Sequence, residues 1–91
     1  MPIIEAVLEQ DSDSTWHYVH VPKEIRDEYK AFEHRGIIPV TVTLGTTIWQ
    51  TSMLPWADGS AQISVNKAVR EKENIKAGQR IRVVIDARKS I

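Results

Sequence analysis

The chain has 91 residues, with 12 basic and 12 acidic side chains, zero formal net charge and a pI near 6.8. That length makes one domain, able to bury roughly 60 to 70% of its unfolded surface without metals or disulfides. The absence of cysteine excludes a disulfide framework, a thiolate metal site and a cysteine nucleophile, and it agrees with a cytoplasmic location. No apolar run approaches the roughly 18 residues of a membrane span. Met1-Pro2-Ile3-Ile4-Glu5 also lacks the basic region and apolar run of a signal peptide.

In chain order, Ile4, Ala6 and Leu8 alternate with Glu5, Val7 and Glu9, the pattern of a half-buried strand. Asp11-Ser12-Asp13-Ser14 reads as a polar turn whose side chains bond their own backbone. Trp16 to Val21, rich in aromatic and β-branched residues, is a second strand. Pro22 ends it and suits the first position of a helix, in which Ile25, Tyr29 and Phe32 fall on one face. Glu24, Asp27 and Glu28 near its start favour the positive end of the helix dipole. Gly36 marks the exit, and Val40, Val42 and Leu44 alternate with Thr41 and Thr43 in a third strand.

Gly45 predicts a tight turn into a fourth strand, Thr47 to Leu54, and Pro55-Trp56-Ala57-Asp58-Gly59 is the strongest local turn signal. Ala61 to Val65 is a fifth strand, Asn66 can cap a second helix, and Gly78 precedes a last strand from Arg80 to about Ala87. The order is strand, strand, helix, strand, twice over. Val19 to Asp27 indeed recurs 44 positions later as Ile63 to Glu71, with Val21, Lys23 and Arg26 matched by Val65, Lys67 and Arg70. The sequence thus divides into internal repeats over 3–45 and 46–88. Six strands with one apolar face each would leave a small open sheet exposed, so the expected fold is mainly β with two short helices, closed into a six-stranded barrel.

Two resemblances follow from these residues. Val21-Pro22-Lys23-Glu24-Ile25-Arg26, and again Asn66-Lys67, Arg70, Ile75-Lys76-Ala77-Gly78 with Ile81, Val83 and Ile85, resemble the AbrB/MazE swapped-hairpin motif. Those proteins form a double-split β-barrel from two interleaved chains, and many bind DNA. The resemblance implies a pseudo-twofold double-split barrel of two ββαβ units held within one chain. Over residues 4–86 the chain is more similar to a group of small, mostly bacterial barrels known as a domain of unknown function, in some relatives preceding a segment associated with bacteriocin protection. The shared pattern is Trp16, Val19, Val21 and Pro22, then Val40, Val42 and Gly45, then Thr51 to Pro55, Asp58-Gly59, Val65, Lys67 and Gly78. Gln79 and Arg80 stand where that group usually has an acidic residue after the glycine. The group implies no activity.

For function, the residues offer three classes. An enzyme lacks support: His17 and His20 point to opposite faces of a strand, and Asp11 and Asp13 are turn residues. No phosphate loop, nucleophile elbow or zinc spacing occurs, so no catalytic residue, metal or cofactor is expected. Nucleic-acid binding would draw on Lys67, Arg70, Arg80 and Arg82, in a second half that carries eight basic and four acidic residues against four and eight in residues 1–45. Net neutrality, together with Glu5 and Glu9 where AbrB-type proteins place basic residues, argues against it. Val21, Pro22, Arg26, Val65 and Gly78 read as scaffold, with Arg26 and Arg70 bonding across the helix starts. The favoured class is a monomeric, non-catalytic binding or accessory module for a protein or small molecule. Its candidate surface is Trp56 and Asp58, because a tryptophan in a turn has little call from the core. Trp16 and Trp49 are expected to pack in the barrel.

Overall fold

A computed structural model of the chain describes residues 3–87. It is mainly β, with two helices and a nearly closed, barrel-like sheet of seven strands: β1 (Ile3–Val7), β2 (Glu9–Gln10), β3 (His17–Val21), β4 (Ile38–Leu44), β5 (Thr47–Pro55), β6 (Ala61–Ser64) and β7 (Arg80–Ala87). Helix α1 spans Lys23–Glu28 and α2 spans Lys67–Glu73. The strands run in the order β1-β7-β4-β5-β6-β3-β2, every pairing antiparallel. The two ends of that order are consecutive in the chain, separated only by Leu8.

Seven strands stand where the alternation predicts six, because the first predicted strand is divided at Leu8. The Leu8 amide donates to Gln79 O at 2.9 Å, and its carbonyl accepts from Gly78 N at 2.8 Å. Leu8 therefore still belongs to the β7 side of the seam, whereas Glu9 and Gln10 pair with Tyr18 and His17 on the other side. Its side chain is fully buried, which anchors the crossing by roughly 2 to 3 kcal/mol of apolar burial.

Alternation sets the core as predicted on β3, β4, β6 and β7. Val19 and Val21, Ile38, Val40 and Val42, Ile63, and Val83 and Ile85 are all buried within one cluster. Trp49 packs at its edge and is partly buried. Trp16 does not join it: at 38% exposure it lies on the outside, in step with Tyr18 and His20, and its indole N–H donates to Gln62 Oε1 at 3.1 Å.

The turns follow their residue chemistry. Arg35 and Gly36 both have positive φ, 55° and 82°, between the paired His34 and Ile37, as a two-residue hairpin of the primed type requires. Gly45 turns β4 into β5 directly beneath Glu73, whose carboxylate accepts from the Thr46 and Thr47 hydroxyls. Gly45 takes φ +60°, and a Cβ there would also push against the Glu73 carboxylate, so the turn favours glycine.

Asn66 caps α2 through its side chain, accepting from Val69 N at 2.9 Å. Pro22 sits at the N-cap of α1, one place before the expected first helical position, with φ −59° and ψ 152°. The helix also ends sooner than the spacing of Ile25, Tyr29 and Phe32 predicts. Tyr29 leaves helical geometry (φ −106°, ψ 9°), and a 3-10 turn over Lys30–Phe32 follows. The tighter winding rotates Phe32 outward to 39% exposure while Tyr29 stays buried.

The Tyr29 hydroxyl donates to Ile85 O at 2.9 Å, tying the end of α1 to β7. Burial, then the charges of Asp86 and Glu28, push its phenol up from 10.0 to about 12. A raised folded-state value favours the neutral phenol, so this contribution to stability is complete below the ordinary value and is lost as pH rises towards about 12. Tyr29→Phe is expected to remove the late step from a spectrophotometric tyrosine titration and to lower unfolding stability by about 1 kcal/mol in urea. A titration in which every tyrosine ionises near the ordinary value would contradict the contact.

Candidate functional site

β3 alternates strictly: His17, Val19 and Val21 face the core, and Tyr18 and His20 face outward. The neighbouring strand β6 sets Gln62 opposite His20 and Ser64 opposite Tyr18. Over this face folds the loop from Pro55 to Ser60. Trp56 N donates to Ser60 O at 3.0 Å and Gly59 N to Trp56 O at 3.1 Å, which closes the loop on itself. Gly59 takes φ +92° against the stem of Lys23, a conformation that side-chain-bearing residues rarely adopt. Beneath it, Arg26 on α1 donates through Nη1 to Gly59 O at 3.0 Å and through Nη2 to Glu33 Oε1 at 3.4 Å.

The loop carries both residues singled out from the sequence. The Trp56 indole, 37% exposed, stands against the rings of Tyr18 and His20, with centroids 5.8 and 5.3 Å away and planes tilted by 58° and 56°. Tilted contacts of this kind suit the aromatic quadrupole and hold the indole in place. Asp58 accepts at Oδ1 from the amide of Ser60 at 2.9 Å and from its hydroxyl at 2.5 Å. The Ser60 hydroxyl in turn meets His20 Nε2 at 2.9 Å.

Proton bookkeeping orders this chain. An ionised carboxylate only accepts, so the single Ser60 proton is directed at Asp58, and His20 Nε2 must carry the proton that it donates to Ser60. These bonds hold the Asp58 carboxyl below the usual carboxylate range: first the Ser60 hydroxyl, then its amide, against an opposing effect of burial, with lesser help from the His20 ring and the amide of Asp58 itself.

Among the scaffold residues, Val21 ends β3 and Val65 directly follows β6, and both are buried. Gly78, with φ +90°, shapes the turn that bonds Leu8. The four basic candidates fall in two places. Arg80 and Arg82 lie on the exposed side of β7 against Glu5 of β1, with Arg80 Nε 3.9 Å from Glu5 Oε2. Lys67 and Arg70 line a separate cleft with Trp16 and His17. Arg88 and Lys89 lie outside the described residues. Sequence reasoning missed the link from His20 through Ser60 to Asp58, and the contact of Arg70 with His17. Their partners are 40 and 53 residues apart, and only the register of β3 on β6 joins them.

Fold and surface together define a small barrel-like β domain that carries an aromatic loop on its outer face. The family described as a domain of unknown function, DUF1905, matches residues 5–85. The chain belongs to that family. No curated protein matches it. No helix among the described residues is long and apolar enough to cross a membrane.

A depressed carboxyl value means that the loop contacts of Asp58 are complete above the ordinary range and are lost as pH falls through the folded-state midpoint. Ser60→Ala is expected to raise the Asp58 midpoint towards the ordinary range in a carboxyl-carbon NMR titration. An unmoved midpoint would show that the hydroxyl does not hold the carboxylate.

Proposed function

We propose that the protein is a non-catalytic, monomeric binding module of the cytoplasm whose contact face for a small-molecule or protein partner is the outer surface around Trp56. The observation that carries this reading is the Trp56 indole: it is exposed, yet fixed over Tyr18 and His20 by a loop bonded from within and from Arg26 below. A pre-positioned aromatic side chain loses little freedom on binding, which makes it an efficient anchor.

The non-catalytic part rests on Ser60. A serine nucleophile needs a base to take its proton and an open path to its oxygen. Ser60 is 4% exposed and gives its proton to Asp58, while His20 stands as a donor to it. The set works as a brace for the loop.

The same proposal takes the barrel as six-stranded, pseudo-twofold and double-split, with β1 and β2 as one strand interrupted at Leu8. Strand register supports it. The pair Glu9↔Tyr18 of β2 and β3 corresponds to Leu54↔Gln62 of β5 and β6. Ile4↔Val83 and Ala6↔Ile81 of β1 and β7 correspond to Trp49↔Val42 and Thr51↔Val40 of β5 and β4. Between β3 and β6, exchanging the halves turns Tyr18↔Ser64 into His20↔Gln62. A chain holding both units has no need of a second copy to close its sheet, which favours the monomer.

A fragment screen by amide NMR tests the reading. Hits from a library of small aromatic compounds and short peptides are expected to cluster on Tyr18, His20 and Trp56, and Trp56→Ala is expected to weaken them about tenfold or more while leaving the rest of the spectrum in place. Hits scattered over the barrel, or hits that survive Trp56→Ala, would sink it.

A further inference from the structure

Positions 26 and 70 correspond in the sequence repeat, and the two arginines are employed very differently. Arg26 has three acceptors around it, Gly59 O, Ser60 O and the Glu33 carboxylate. Arg70 has one polar contact among the described residues, from Nη1 to His17 Nε2 at 3.2 Å. A guanidinium cannot accept, so His17 Nε2 is the acceptor and the ring proton sits on Nδ1, donated to Thr15 O at 2.7 Å. That makes His17 a neutral partner. Arg70 Nε is buried with no hydrogen-bond partner among the described residues, a condition that costs about 1 to 3 kcal/mol in a folded protein and is uncommon for so strong a donor.

The surroundings point the same way. Arg70 lines an open cleft of about 440 Å³ between the turn before β3 and the start of α2. Lys67 lines it too and makes no ion pair among the described residues. No acidic side chain among the described residues lines the cleft. Trp16 forms part of the wall, its indole held by Gln62. The cleft therefore offers two cations, one of them with a single polar contact among the described residues, an aromatic wall, and no acidic side chain among the described residues that line it. At the corresponding place beside α1, Glu33 supplies that anion.

We propose that this cleft is a binding site for the oxyanion of a small molecule, a carboxylate or phosphate monoester, taken by the Arg70 guanidinium with Lys67 as second cation and Trp16 beside the body of the ligand. A guanidinium edge matches the two-oxygen spacing of such groups and forms paired charge-assisted bonds with them. A small ligand fits better than a nucleic-acid backbone, which needs a row of cations, whereas Arg80 and Arg82 do not line this cleft. The site stands apart from the reading of Trp56 and survives its failure.

The test is a titration of the full chain with inorganic phosphate, phenyl phosphate and benzoate at constant ionic strength, followed by NMR of arginine Nε–H, tryptophan indole N–H and backbone amide signals. The expected result is saturable shifts at Arg70 Nε, the Trp16 indole and the Lys67 amide, with Arg26 Nε unmoved and the aromatic anions binding more tightly than phosphate. Arg70→Gln is expected to weaken binding about tenfold or more, and Arg70→Lys to recover part of it as a point charge without the fork. Lys67→Gln, at a residue with no ion pair to disturb, is expected to weaken it about threefold and keeps the test valid should Arg70→Gln not fold. The proposal is overturned by non-saturating shifts, by equal responses of Arg26 and Arg70, or by binding that neither substitution changes. Tighter binding of a DNA duplex that depends on Arg80 and Arg82 would likewise overturn it in favour of a nucleic-acid surface.

Discussion

One backbone crossing brings the two ends of the sheet together. Leu8 gives its amide and its carbonyl to the turn that precedes β7, and the very next residues pair with β3. A single continuous segment thus serves as neighbour to both ends of the sheet. Sheet edges are costly to leave open, and a domain of 91 residues has little else with which to cover them. Once this crossing is made, the alternating residues of β3, β4, β6 and β7 all look into one interior, and their other faces are turned outward. The outward positions of Tyr18 and His20, and with them the surface under Trp56, follow from that closure.

An arginine in the last turn of each helix then ties that helix to a neighbouring loop or strand. On one side Arg26 holds the Pro55–Ser60 loop by its carbonyls and is neutralised by Glu33, so the loop becomes a rigid platform for the indole. On the other, among the described residues Arg70 meets only the neutral ring of His17, and no acidic side chain among them lines its cleft. Loops carried on a rigid scaffold are the usual place for binding residues. Here the difference between them lies in how far each arginine is already satisfied by its own chain.

Much of this fold is legible in the sequence. Val40, Val42 and Leu44, or Ile81, Val83 and Ile85, announce their strands by period two, and Asn66 announces its cap by residue type and position. Trp56 stands out as a large aromatic residue in a turn. Other features carry no local signal. Leu8 continues the alternation of β1, so nothing in its neighbourhood reveals that its strand changes partners. Ile25, Tyr29 and Phe32 have sound helical spacing, and the helix is cut short by the anchoring of Tyr29 on Ile85, a tertiary contact 56 residues away. Trp16 looks like a core residue by size, but it shares the outward phase of Tyr18 and His20. The bonds from His20 to Ser60 and from Arg70 to His17 arise only when β3 lies against β6, because each joins one half of the chain to the other.

The unequal roles of the two arginines are the central claim, and paired unfolding measurements on Arg26→Gln and Arg70→Gln test it most directly. Arg26 makes charge-assisted bonds to backbone and carboxylate at a largely buried site, so its loss is expected to cost about 2 kcal/mol in urea denaturation. Arg70→Gln removes an unpartnered buried donor along with its one contact, so it is expected to cost less than about 1 kcal/mol. Equal losses, or a larger loss at Arg70, would mean that both arginines are structural clamps and would contradict the account.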